Sequence, residues 1–141
     1  MPESREVPHG PENPDLGWFR SGTIDVNKLE NYALSLLYAD GQHHARMWRS
    51  VFGVESGDGN LLANLIMEQL VQVERIEERE PKAHSEDLSR VSRRFTLDIP
   101  QFRGPNSNVS RVRTNWALDP DEERPHLVTA FHKPKRGQSR R

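Results

Sequence analysis

The apolar positions of this chain change their period near residue 90. In "DVNKLENYALSLLYA", Val26, Leu29, Ala33, Leu36 and Leu37 fall close to one face of a 3.6-residue repeat, which predicts a first helix. Asp25 stands where its carboxylate can accept from a free N–H of the first turn. "DGQ" then predicts a turn. A second helix is expected from about His43 to Phe52, burying Ala45, Trp48, Val51 and Phe52, with Gly53 suited to a left-handed stop. After the turn "ESGDG", a third helix from about Asn60 carries Leu61, Leu62, Leu65, Ile66, Leu70 and Val73. Through "ERIEEREPKAHSED" charges replace the stripe, the helix is expected to fray, and Pro81 ends any helical option.

Beyond residue 90 the repeat is two. "RRFTLDI" alternates Phe95, Leu97 and Ile99 against Arg94, Thr96 and Asp98, the pattern of a half-buried strand. "RGPNSN" is turn chemistry, and "VSRVRTNWAL" then sets Val112, Thr114, Trp116 and Leu118 against Arg111, Arg113 and Asn115. After the loop "DPDEERP", "HLVTAFH" places Leu127, Thr129 and Phe131 on one face and His126, Val128 and Ala130 on the other. Helices followed by strands predict an α+β fold: two or three N-terminal helices packed on a three- or four-stranded antiparallel meander.

Apolar residues make up 33% of the 141 residues, below the roughly 45–50% of ordinary domains, and the deficit lies at the ends. "MPESREVPHGPENPD" holds four of the ten prolines, and "HKPKRGQSRR" has no apolar run. The expected organisation is a Pro-rich flexible leader over 1–22, one domain over 23–133 and a basic tail over 134–141. With no cysteine, disulfides and thiolate chemistry are excluded. No apolar run approaches the length of a membrane span, and the start of the chain lacks the order of a signal peptide. Net charge is −1, yet eight Lys and Arg stand against sixteen Asp and Glu in residues 1–89, and twelve against five in residues 90–141. Such a basic half suits phosphate or an acidic protein, or is simply a solvated tail.

Candidate chemistry is sparse. His43 and His44 are adjacent, so on a helix they point about 100° apart and do not chelate one ion as an i, i+4 pair would. His126 and His132 share a strand face but lie roughly 20 Å apart, and most of the acidic residues sit in a charge run or in loops without ligand spacing. No metal site and no cofactor is expected. His44, one turn before Trp48, borders the buried stripe, where an imidazole can transfer protons; a half-buried histidine bonded to a backbone carbonyl is the plainer alternative. Arg111 and Arg113 offer forked donors to a phosphate, or decorate a solvated sheet face. Thr114, Thr129 and Trp116 fit packing as well as chemistry. Serine-triad, P-loop and zincin motifs are absent.

"KLENYAL", "GQHHARMWRSVFGV", a Leu/Ile helix, "VRTNWAL" and "PHLVTAF" occur in an order that resembles an uncharacterised bacterial domain family. Its pattern is a K-L-x-x-Y-x-L helix, a G-x-x-K-A-x-x-F-x-x-x-L-G helix, a T-x-W strand and a closing P-R-L-V-T-A-Y strand, and the match spans about residues 24 to 132. More loosely, the order is similar to the barnase, EndoU, colicin and RelE-like (BECR) fold of metal-independent ribonucleases, which includes many toxin domains of bacterial competition systems. That resemblance implies a toxin that cleaves tRNA or another cellular RNA through the RNA's own 2′-hydroxyl. His44 would be the general base or acid, His126 its counterpart, Arg113 the phosphate clamp, and Thr114 and Thr129 hydroxyl donors. Arg46, Arg111, Lys133, Lys135 and Arg136 would grip RNA in a salt-dependent manner. It further implies action in the cytoplasm, after delivery into a target cell, and an acidic immunity protein or antitoxin as partner. This chain has His44 where the nearer family has Lys, and His126 where it has Arg, which keeps proton transfer but loses permanent charge. The alternatives are a non-catalytic RNA- or protein-binding module of the same fold, and an adaptor of a secretion or phage-like assembly.

Overall fold

Why the polar segment before residue 90 is ordered at all becomes clear from its neighbour. In the computed structural model, which describes residues 10–34, 39–84 and 86–134, Ile76–Ala83 is strand β1 and pairs antiparallel with β2, Val91–Arg103. The expected frayed helix is therefore corrected to an edge strand. Its pattern hides the two-residue repeat because nearly every side chain from Glu78 to Ala83 is exposed. Pro81 sits at the register shift between Arg79 and Lys82, a place where an edge strand tolerates a missing donor. Strands β3, Val109–Leu118, and β4, His126–His132, complete a four-stranded antiparallel sheet in the order β1-β2-β3-β4. The α+β meander read from the pattern is the observed fold.

The helices precede the sheet and cover one of its faces. Helix α1, Leu16–Arg20, is capped by Asp15, whose carboxylate accepts from Trp18 N–H at 3.0 Å. It lies within the segment expected to be a flexible leader, yet Phe19 is fully buried, 5.2 Å from Phe95 and 5.9 Å from Trp116 between ring centroids. The packed chain thus starts before residue 23, because an aromatic ring in a Pro-rich stretch is enough to anchor it. Helix α2, Val26–Lys28, is capped by Asp25 as expected and passes into a π-helical turn, Leu29–Ala33. Leu36 and Leu37 of the predicted stripe lie outside the described residues, as do 1–9 and 135–141.

Helix α3, Ala39–Met47, continues as a π-helical turn, Trp48–Phe52. It runs through "DGQ", where a turn is expected from the sequence. An Asp is favoured in the first turn of a helix, and a single Gly there costs only about 1 kcal/mol. Gly53 ends the element at φ 77°, in the left-handed region as expected. Its orphan carbonyls are taken up by the β2–β3 hairpin: Asn106 and Asn108 side-chain amides donate to Val51 O, and Asn106 N–H to Phe52 O. Helix α4, Gly59–Gln69, ends in a 3₁₀ turn, Leu70–Gln72. Its start has no cap from Asp58; the Glu30 carboxylate accepts instead from Gly57 and Gly59 N–H.

Trp48, Phe52, Leu62, Ile66 and Leu70 from the helices meet Phe95, Leu97, Ile99, Phe102, Val112 and Trp116 from the sheet in one core. Strand β4 does not alternate as its sequence suggests. Asn115 pairs with Thr129 but Trp116 pairs with Leu127, so Val128 is an extra residue. Leu127 and Ala130 are buried, while Val128 and Thr129 are exposed and Phe131 is half-buried. The bulge moves Thr129 and Phe131 off the face expected to be apolar. No helix among the described residues is long and apolar enough to cross a membrane.

Candidate functional site

The sheet face away from the core is polar and carries most of the expected candidates. Across its middle runs a hydrogen-bonded ladder: Thr96 Oγ1 donates to Asn115 Oδ1 at 2.8 Å, and Asn115 Nδ2 donates to Thr129 Oγ1 at 2.9 Å. One register step away, Arg113 holds Asp98 with both prongs, Nε to Oδ1 at 2.8 Å and Nη2 to Oδ2 at 3.0 Å. These hydrogen bonds raise the guanidinium's pKa further, against a smaller opposing effect of burial. Arg111 places Nη1 3.8 Å from the same carboxylate and donates through Nε to Lys133 O. On the other side of the ladder, Arg94 donates to Glu80 O and Arg79 pairs with Glu77. Two clefts open here. One of about 380 Å³ is bordered by Arg79, Arg94, Arg113, Asn115, Thr129 and Phe131; the other, of about 710 Å³, includes Arg75, Glu77, Asp98, Arg111 and Arg113.

His44 reaches the edge of this face. Its ring stacks on Phe131 at 5.1 Å with planes 27° apart, and it lines a pocket of about 290 Å³ with Asp25, Lys28, Leu127 and Thr129. Burial, reinforced by the neighbouring His43, holds its pKa below the ordinary 6.5 and so favours the neutral ring. His43 and Arg46 on the same helix are exposed.

The expected catalytic set is only partly assembled. His44 and Thr129 share a pocket, and Thr129 and Arg113 share a cleft. Thr114 is fully buried on the core face, its hydroxyl donating to Leu97 O at 2.7 Å and accepting from Trp116 Nε1 at 2.8 Å. Both capacities of that oxygen are used inside the core, so it has no path to a phosphate. His126 begins β4 and is bonded to Glu122, whereas His44 stacks on Phe131 near the other end of that strand. Lys133 is exposed beside Arg111, and Lys135 and Arg136 lie outside the described residues.

His126 belongs instead to a cluster for which no metal role is expected from the sequence. Its Nδ1 lies 3.0 and 3.1 Å from the two oxygens of Glu122, and one ligand atom from each of Asp119, Glu122 and His126 falls within 4.8 Å of the others. Glu122 N–H donates to Asp119 O, and Asp119 N–H to Glu122 Oε1 at 2.8 Å, so a tight turn holds the acids together. Ser92 Oγ donates to Asp119 Oδ1, and His84 Nε2 stands 2.8 Å from Ser92 Oγ and 3.6 Å from Asp119 Oδ1. In the sequence the three residues read D-x-x-E-x-x-x-H, a spacing that a turn between two paired strands closes. His84 and Ser92 come from other elements and carry no such signal.

The family model described as "Domain of unknown function (DUF6883)" matches residues 19–134. Nothing found links it to the BECR ribonuclease fold. No curated protein and no solved structure matches the chain.

Proposed function

The chain belongs to the DUF6883 domain family, and on the geometry of this member we propose that the open sheet face binds single-stranded RNA without cleaving it. The observation that supports this reading is the Thr96–Asn115–Thr129 ladder set between Arg79 and Arg94 on one side and Arg111 and Arg113 on the other. Guanidinium forks match phosphate oxygens. The half-buried amide of Asn115 and the exposed hydroxyl of Thr129 between them match base edges and the 2′-hydroxyl, and Phe131, backed by His44, offers an aromatic surface at the rim. Glu77 and Asp98 orient arginines that remain in excess on the face. The ribonuclease reading has less behind it, since the Thr114 hydroxyl is spent inside the core and His126 is bonded to Glu122.

The test is titration of a fluorescent single-stranded RNA with the full chain in EDTA at several salt concentrations. Binding is expected to weaken steeply with salt. Arg94→Ala and Arg113→Ala should each lower the slope of log affinity against log salt by about 0.7, one phosphate contact on a single strand. Lys135→Ala with Arg136→Ala reports on the tail in the same assay. Failure to retain RNA at low salt overturns the reading. Cleavage that His44→Ala abolishes would replace it with the ribonuclease.

A further inference from the structure

We infer that Asp119, Glu122 and His126 form a binding site for one divalent transition-metal ion of the zinc type. Three donors of two chemical kinds converge from the end of β3, the turn after it and the first residue of β4. Their ligand atoms lie within 4.8 Å of one another, and a tetrahedral zinc with N and O donors needs them about 3.3 Å apart, so a small contraction separates the two arrangements. Glu122 N–H donates to Asp119 O, and Asp119 N–H donates to Glu122 Oε1, so the turn and its carboxylate are already held together without the ion.

Charge is the second argument. Asp119 and Glu122 are half-buried side by side, and among the described residues their ion-pair partners are His84 and His126 alone. Arg90, at the same end of the sheet, pairs with Asp121 instead. Two adjacent carboxylates without an Arg or Lys are the arrangement a divalent cation neutralises. An imidazole in the donor set favours zinc and its neighbours over calcium or magnesium, which prefer oxygen alone. Ser92 and His84 add an outer layer that fixes Asp119 Oδ1, as the supporting shell of a metal ligand does. Three protein ligands leave the fourth position to water or another oxygen donor. Binding through Nδ1 of His126 displaces its hydrogen bond to Glu122, and any proton on that nitrogen is released.

The site does not depend on the RNA reading, whose test is run in EDTA. Its own test is calorimetric titration of the chelator-stripped full chain with zinc chloride near neutral pH, beside Glu122→Gln, His126→Ala and His44→Ala. One saturating equivalent is expected, weakened at least about tenfold by Glu122→Gln and by His126→Ala and unchanged by His44→Ala. Because Glu122→Gln keeps shape and loses only charge, circular dichroism should show it folded, and zinc should raise the melting temperature of the wild type but not of this variant. Absence of saturable binding to the wild type overturns the inference. So does wild-type affinity in either site variant, or loss of the same site in His44→Ala.

Discussion

At the scale of single residues, a hydroxyl can be functional in type and structural in place. Thr114 sits between Leu97 O and the Trp116 indole N–H, fully buried. Thr114→Val keeps the shape and removes the hydroxyl's bond to each partner, the indole N–H being buried, so a loss of about 1–3 kcal/mol in urea denaturation is expected, with RNA affinity unchanged. His44 and His132 set a pH dependence. Burial lowers both pKa values below 6.5, and His132 has Nε2 on Ser110 Oγ while its buried Nδ1 has no partner among the described residues. Between the lowered value and 6.5 the unfolded chain binds more protons, so stability is full above about pH 6.5 and declines as pH falls toward the folded values. The urea midpoint should therefore be lower at about pH 5.5 than at about pH 7.5, and combined His44→Gln and His132→Gln should flatten that difference.

At the scale of elements, ends and irregularities carry more than propensities do. Glu30 caps α4 from a distant turn by accepting from Gly57 and Gly59 N–H, so Glu30→Ala should cost about 1 kcal/mol, the value of a lost N-cap, measured by thermal unfolding. In β4 the bulge makes Val128 supernumerary. Deleting Val128 leaves Leu127 inward and Thr129 and Phe131 outward; deleting Ala130 turns Phe131 inward. Circular dichroism should find the first variant folded and the second destabilised. Legibility in the sequence follows the same division. Plain alternation puts Arg111, Arg113 and Asn115 on the open face, and Asp25 and Gly53 are legible as a helix start and a helix stop because each acts on its own turn. Thr129 and Phe131 were not, since a bulge is a relation between strands, and β1 was hidden because an edge strand needs no apolar stripe. The Asp119, Glu122 and His126 cluster was missed because only strand pairing brings its ends together.

At the scale of the whole molecule, one sheet separates two environments: a dry side filled by helices and a wet side of arginines, amides and carboxylates. Substitutions on the wet side, such as Arg94→Ala, should change RNA affinity with little change in melting temperature, while core substitutions do the reverse. The two edges of that sheet differ as well. The edge at β1 carries charges and Pro81, whereas β4 is bridged by the N-terminal segment, with Thr23 N–H donating to Pro125 O and Leu127 N–H to Thr23 O. Trp18 reaches Glu123 O, and Pro11 O accepts from Arg93. The segment ahead of α2 therefore docks on strands that lie far downstream of it in the sequence. Phe19 cannot meet Trp116 until the whole of the sheet's third strand has been synthesised, so this contact closes a long loop and belongs to the slow, non-local part of folding.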